Sequence, residues 1–152
     1  MASVCMYLQF HQPPRLRRYS VFDSTADYFD QHHNAEIFRK VAERSYLPTA
    51  RLLLELLRKH DGDFRLSISL TGVFAEAARE HGPEVLDLLQ QMAETGCVEF
   101  LSETYYHSIA FLYSRDEFRE QVEKHGRMIE KLFGQHPSVF RNTELIYNND
   151  VA

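Results

Sequence analysis

Hydrophobic and polar positions alternate cleanly from residue 2 to residue 11. Val4, Met6, Leu8 and Phe10 fall on one face, and Cys5, Tyr7, Gln9 and His11 on the other, which predicts a strand. Pro13-Pro14 ends it, because two prolines cannot continue a sheet ladder. Residues 15–46 read as an irregular, aromatic-rich excursion, helical in part around 35–44, of a length usually associated with function or partners. Pro48 is expected to open a helix, where its missing N–H costs nothing, with Leu52, Leu53, Leu56 and Leu57 as the buried stripe and Asp61-Gly62 as the stop. Phe64, Leu66, Ile68 and Leu70 alternate with Arg65, Ser67 and Ser69, predicting a second strand whose small polar face suits a crowded barrel interior. Helices over 73–80 and 83–94 follow, then a third strand over 97–101. Ser114 and Glu117 form a capping box ahead of a stripe of Phe118, Val122, His125, Ile129 and Leu132 that closes at Gly134. Val139-Phe140 then begin a fourth buried strand that runs into Arg141, Asn142, Thr143 and Glu144.

This order of strands and helices is βαβ logic. The fold class expected is therefore α/β with parallel strands, covering the first four βα units of one domain over residues 1–152. Four such strands would leave both sheet edges unpaired, which points to a piece of something larger. Composition agrees with a globular chain, with 44% hydrophobic and 26% charged residues. A formal charge of -5 argues against nucleic acid or anionic lipid as a partner, and no apolar run is long enough to span a membrane. Cys5 and Cys97 fall in expected strands and suggest no disulfide framework, and no secretory signal is visible, so a cytoplasmic location is expected.

Three polar clusters stand at the C-terminal ends of expected strands: His11-Gln12, then Glu99 with Tyr105-Tyr106-His107, then Arg141 to Glu144. Parallel α/β architectures gather such ends on one face, where chemistry is placed. Glu144, between polar neighbours, is the candidate reactive carboxylate; the plain alternative is a strand-end glutamate paired to an arginine. Glu99 sits mid-strand, where an unpaired carboxylate is costly, so either a site role or an ion pair with Arg141 is expected. His32-His33 has no carboxylates at metal spacing and is assigned to the surface.

The segment Leu8-Gln-Phe-His-Gln-Pro13 resembles the first conserved region of family 57 glycoside hydrolases. Gly96-Cys-Val-Glu99 resembles the second, and Phe140-Arg-Asn-Thr-Glu144 the third. The resemblance covers essentially the whole chain, and it is closest to α-amylase-like and 4-α-glucanotransferase-like members. It implies an incomplete (β/α)7 barrel, a retaining mechanism on α-glucans or maltooligosaccharides, and no cofactor or metal. Carried over by position, Glu144 is the nucleophile, His11 and Glu99 hold the sugar, and Gln12 supports His11. His107, Arg141 and Asn142 complete the expected substrate-binding set. Two departures stand out. Gln9 occupies a position where many members have histidine, and the family's acid/base aspartate falls in a region beyond residue 152. The missing partner would then come from the remaining C-terminal part of the barrel, and the chain alone would be inactive.

Two other classes compete with this reading. A deacetylase-like or mannosidase-like metal hydrolase would need Asp and His ligands grouped at strand ends, and His11-Gln12-Pro13 offers no adjacent aspartate. A non-catalytic glucan-binding or degenerate homologue would keep the same polar residues.

Overall fold

The computed structural model describes residues 4–152. Three parallel strands form a sheet in the order β1 (Tyr7–Phe10), β2 (Leu66–Leu70), β3 (Val98–Phe100). Tyr7 lies opposite Ser67, and Ser67 opposite Glu99. One sheet face therefore reads Tyr7, Gln9, Ser67, Ser69 and Glu99. The other reads Leu8, Phe10, Leu66, Ile68, Leu70, Val98 and Phe100, and belongs to the main apolar core. Alternation thus splits each strand into a polar inner side and an apolar side that the helices cover.

Five helices supply that cover: α1 (Gln31–Val41), α2 (Leu47–His60), α3 (Gly72–His81), α4 (Pro83–Glu94) and α5 (Arg115–Phe133). Helix α2 packs on α4, and α1 and α4 both pack on α3. An aromatic cluster of Phe10, Tyr46, Phe38 and Phe74 ties β1 to these helices, with Phe10 and Phe74 edge-on at 5.5 Å. Phe100 of β3 stacks on Phe133 of α5 at 4.0 Å. Fully burying rings of this size is worth roughly 1.5–3 kcal/mol each, so the helices are held to the sheet chiefly by this side.

The expected elements recur with several differences. Helix α1 begins earlier, capped by Asp30, whose carboxylate accepts from the His33 amide. It runs through a π-helical turn (Ala42–Tyr46) straight into α2, so Pro48 lies near a junction within a continuous helical run and does not open an isolated helix. The wider turn, in which the Leu47 amide reaches back to the Ala42 carbonyl, absorbs the bond that proline cannot donate. The buried stripe of α2 is Ala50, Leu53, Leu54 and Leu57, while Leu52 is exposed. In α5 the fully enclosed positions are Gln121, His125 and Ile129, so a glutamine sits where an apolar residue was expected. The Ser114 hydroxyl does accept from the Glu117 amide, but the Glu117 side chain bonds Gln121 instead of returning to close a capping box.

The fourth strand is reduced to a single parallel bridge between Ser102 and Phe140. The Ser102 amide donates to the Val139 carbonyl and the Arg141 amide to the Ser102 carbonyl. Val139 and Phe140 are partly exposed, not buried. They border an apolar groove of about 810 Å³ with Phe118, Val122, Ile146 and Tyr147. The first strand is shorter than the alternation suggests. Of its expected start, residues 2 and 3 lie outside the described residues, and Cys5 is exposed ahead of β1. Cys97 is buried, and both thiols are free. Among the described residues no helix is long and apolar enough to cross a membrane.

Candidate active site

The C-terminal edge of the sheet carries a compact polar cluster. His11 follows β1 directly, and its Nδ1 lies 3.0 Å from the hydroxyl of Thr71, the residue after β2. Thr71 also caps α3, accepting from the Phe74 amide, so one hydroxyl both starts a helix and fixes the ring of His11. The His11 ring lies against that of His107 with centroids 4.3 Å apart. Gln9 Nε2 stands 3.4 Å from the same His107 ring.

Glu103 is the buried member. Its side chain has no exposure, one oxygen accepts from the Ser69 hydroxyl, and the other pairs with His107 Nδ1 at 2.9 Å. The second nitrogen of His107 faces Glu144, with Nε2 and Oε1 3.9 Å apart. Glu144 itself is open to solvent, its side chain 70% exposed. The order is therefore buried carboxylate, imidazole, exposed carboxylate.

Two backbone features hold that order. Both His107 and Glu144 have φ of +56°, in the left-handed region that non-glycine residues rarely occupy. Such a conformation costs of order 1–3 kcal/mol per residue and persists only where its surroundings enforce it. Here the surroundings are hydrogen bonds. The Thr104 hydroxyl accepts from the Ser108 amide at 2.9 Å and meets the Thr143 hydroxyl at 3.0 Å, tying the loop that bears His107 to the turn that bears Glu144. Ser108 donates to the Gln121 amide oxygen at 2.8 Å, anchoring the same loop on α5. The glutamine buried in the α5 stripe is thus explained by the loop it fixes.

Burial lowers the proton affinity of His11 below the usual histidine value, and the neighbouring His107 adds to the effect. The charges of Glu103 and Glu144 oppose it. At neutral pH His11 is a neutral ring able to accept or donate one hydrogen bond.

The remaining expected site residues lie elsewhere. Gln12 is buried, but its amide oxygen accepts from the Tyr46 hydroxyl at 3.0 Å; the support for His11 comes from Thr71 instead. Glu99 is exposed on β3, level with Tyr7 and Ser67 and below the cluster, and its contact is a 3.4 Å bond from the Ser138 hydroxyl. Among the described residues no ion pair joins it to Arg141. The Arg141 guanidinium lies over the Tyr7 ring at 5.0 Å and, among the described residues, forms no ion pair with Glu144. Asn142 donates to the Ile146 carbonyl at 2.6 Å and so closes the turn around Glu144. The basic neighbour of Glu144 is accordingly His107.

Glu103 was not anticipated from the sequence, although the signal was present. Residues 99, 101 and 103 share one strand parity, and Glu103 with His107 is an i, i+4 acid–imidazole pair just past a strand end. Among the described residues no three His, Cys, Asp or Glu side chains form a group able to hold a metal ion.

With this geometry in place, comparison with known proteins decides the family. The family described as Glycosyl hydrolase family 57 matches residues 5–152. The chain belongs to that family. A protein of Methanocaldococcus jannaschii described as "Putative alpha-amylase" is 44% identical over 148 residues, 95% of this chain but 31% of that relative. The chain thus spans about a third of the length of this relative. In structure it is similar to 4-alpha-glucanotransferase from Thermococcus litoralis, with a TM-score of 0.70 and 20% identity over 97% of this chain and 20% of the other. A CE4 family pseudoenzyme from Bacillus anthracis superposes less fully, with a TM-score of 0.52 and 27% identity over 70% of this chain and 33% of that one. The parallel sheet with its covering helices is the N-terminal part of a (β/α)7 barrel such as family 57 enzymes possess.

Proposed function

We propose that this chain is the N-terminal part of a retaining glycoside hydrolase or transglycosylase acting on α-glucans, with Glu144 as the nucleophile. The observation that carries this reading is Glu144 itself. Its carboxylate stands exposed at the C-terminal edge of a parallel sheet, on a strained turn, facing His107 with His11 beside it. Membership of the family and the activities named for its relatives support the substrate class.

In the first step a Glu144 oxygen attacks the anomeric carbon, the bond to the leaving oxygen breaks, and that oxygen takes a proton from a second carboxyl group. In the second step the same group, now a base, takes a proton from water or an acceptor sugar, whose oxygen displaces Glu144. Retention requires the two carboxyls about 5–5.5 Å apart across the bond. Glu103 does not suit the second role, because it is sealed behind His107 and committed to Ser69. That carboxyl is assigned to sequence beyond these 152 residues, and the isolated chain is expected to be inactive. The same further part of the barrel would cover the apolar groove beside Phe140. His11 and His107 would bind ring hydroxyls, and Asn142 would hold the turn that presents Glu144.

The test is turnover of maltooligosaccharides by the full-length protein. Glu144→Gln keeps the shape and removes the nucleophile, and it should cost on the order of a thousandfold or more in kcat. Undiminished turnover would refute the assignment. Binding without turnover in both the wild type and Glu144→Gln would favour a glucan-binding, non-catalytic homologue.

A further inference from the structure

We propose that Glu103 is a positioning residue: by accepting a hydrogen bond from His107 Nδ1 it fixes that ring so that Nε2 is the atom presented to Glu144 and to a bound sugar. The inference rests on the reading of Glu144 as the nucleophile, but it is argued from the geometry behind His107.

An ionised carboxylate can only accept hydrogen bonds, so a 2.9 Å contact between Glu103 and Nδ1 requires the proton to sit on Nδ1. Rotation of the imidazole is hindered by its neighbours. His11 lies on one ring face at 4.3 Å, and Gln9 stands 3.4 Å away. Glu103 is itself immobilised, with its other oxygen taken by the Ser69 hydroxyl on β2 and its side chain wholly enclosed. The charge of a buried carboxylate is costly unless it is used by a partner, and His107 and Ser69 are the partners here. Three residues lie between Glu103 and His107. The intervening loop folds back on itself through the His107 amide, which donates to the Thr104 carbonyl at 3.0 Å, so the pair closes a small ring of chain. The other nitrogen, Nε2, then stands 3.9 Å from the Glu144 carboxylate, placed to bind a sugar hydroxyl beside it. Buried second partners of this kind set which nitrogen of a histidine is available.

The experiment uses the full-length protein with selectively ¹⁵N-labelled histidine, and His107→Gln to assign its signals. In the wild type the His107 Nδ1 is expected to carry a proton in slow exchange. Glu103→Gln places an amide where the carboxylate stood, and the Nδ1 signal should move or broaden. In the same variant kcat/KM on a maltooligosaccharide should fall about ten- to a hundredfold, the cost of a misplaced contact group. Glu103→Asp, which keeps the charge, should recover part of that loss. An unprotonated Nδ1 in the wild type would overturn the proposal, and so would unchanged kcat/KM in a folded Glu103→Gln. If Glu103→Gln does not fold, the wild-type spectrum decides alone. Turnover surviving Glu144→Gln would instead refute the nucleophile, leaving the Nδ1 result to stand or fall separately.

Discussion

At the scale of single residues, His125 shows how a polar group is tolerated in the core of α5. Its Nε2 donates to the Leu70 carbonyl at 2.9 Å, and its Nδ1 is enclosed with no partner. A carbonyl only accepts, so the proton belongs on Nε2, and a second proton would leave a buried N–H unsatisfied. Burial accordingly lowers the proton affinity of His125, against the opposing effects of the Leu70 carbonyl and the Glu103 charge. His11 is lowered too, by burial and then by His107. Both groups are neutral when folded and return to the ordinary value of 6.5 when unfolded. Below that value the unfolded chain binds more protons than the folded one, so stability is lost as pH falls. The melting temperature of the full-length protein is predicted to drop between about pH 7 and about pH 5.5. His125→Gln, which keeps a donor for Leu70, should flatten the slope. An equally steep slope in the variant would show that other groups carry it.

Among the elements, the junction of β2 with α3 is where packing and site meet. A Cβ at Gly72 would lie 2.3 Å from the Tyr105 ring, and the Gly72 amide donates to the Tyr105 carbonyl at 2.8 Å. Tyr105 is held further by its hydroxyl, which donates to Glu76 at 2.6 Å, and by Lys124, whose ammonium sits 3.9 Å over the ring. Burial, then that bond to Glu76, raises the Tyr105 phenol well above its ordinary value, so it remains a donor. Gly72→Ala must therefore push aside a ring two residues from His107. It is expected to cost about 1–3 kcal/mol in chemical denaturation and to lower activity with it; unchanged stability would mean the loop moves freely.

The same elements show what the sequence could and could not convey. The alternation in β1 and β2 is unambiguous because each strand has one polar and one apolar side. Helix α2 is less so. Its run Leu52-Leu53-Leu54-Glu55-Leu56-Leu57 offers apolar residues at nearly every phase, and the π-helical turn upstream rotates the helix before it reaches them. The fourth strand looks buried by composition, yet it forms a single bridge and leaves Val139 and Phe140 partly exposed, because composition does not say whether a neighbour covers it. For the site, position along the strand mattered more than residue type. Glu99 and Glu103 are the same side chain on the same parity, but only Glu103 stands at the level of His11 and Thr71.

Over the whole molecule, helices cover the outer side of the sheet, and the polar inner side carries the His11, His107 and Glu144 cluster at its C-terminal edge. Ser67 and Ser69 leave room on that inner side, the enclosed Glu103 supplies a fixed charge, and two turns of unusual backbone bring His107 and Glu144 together. The open groove beside Phe140 is lined by Phe118, Val122, Ile146 and Tyr147 and includes none of His11, Glu103, His107 or Glu144. The central claim is that Glu144 bonds covalently to the sugar. Incubating the full-length protein with a fluorinated α-glucosyl fluoride that forms the glycosyl-enzyme but resists its breakdown should trap the intermediate. Peptide mass spectrometry is predicted to find one glycosyl group, on Glu144. A label on any other carboxylate, or continued turnover with no label at all, would contradict the account.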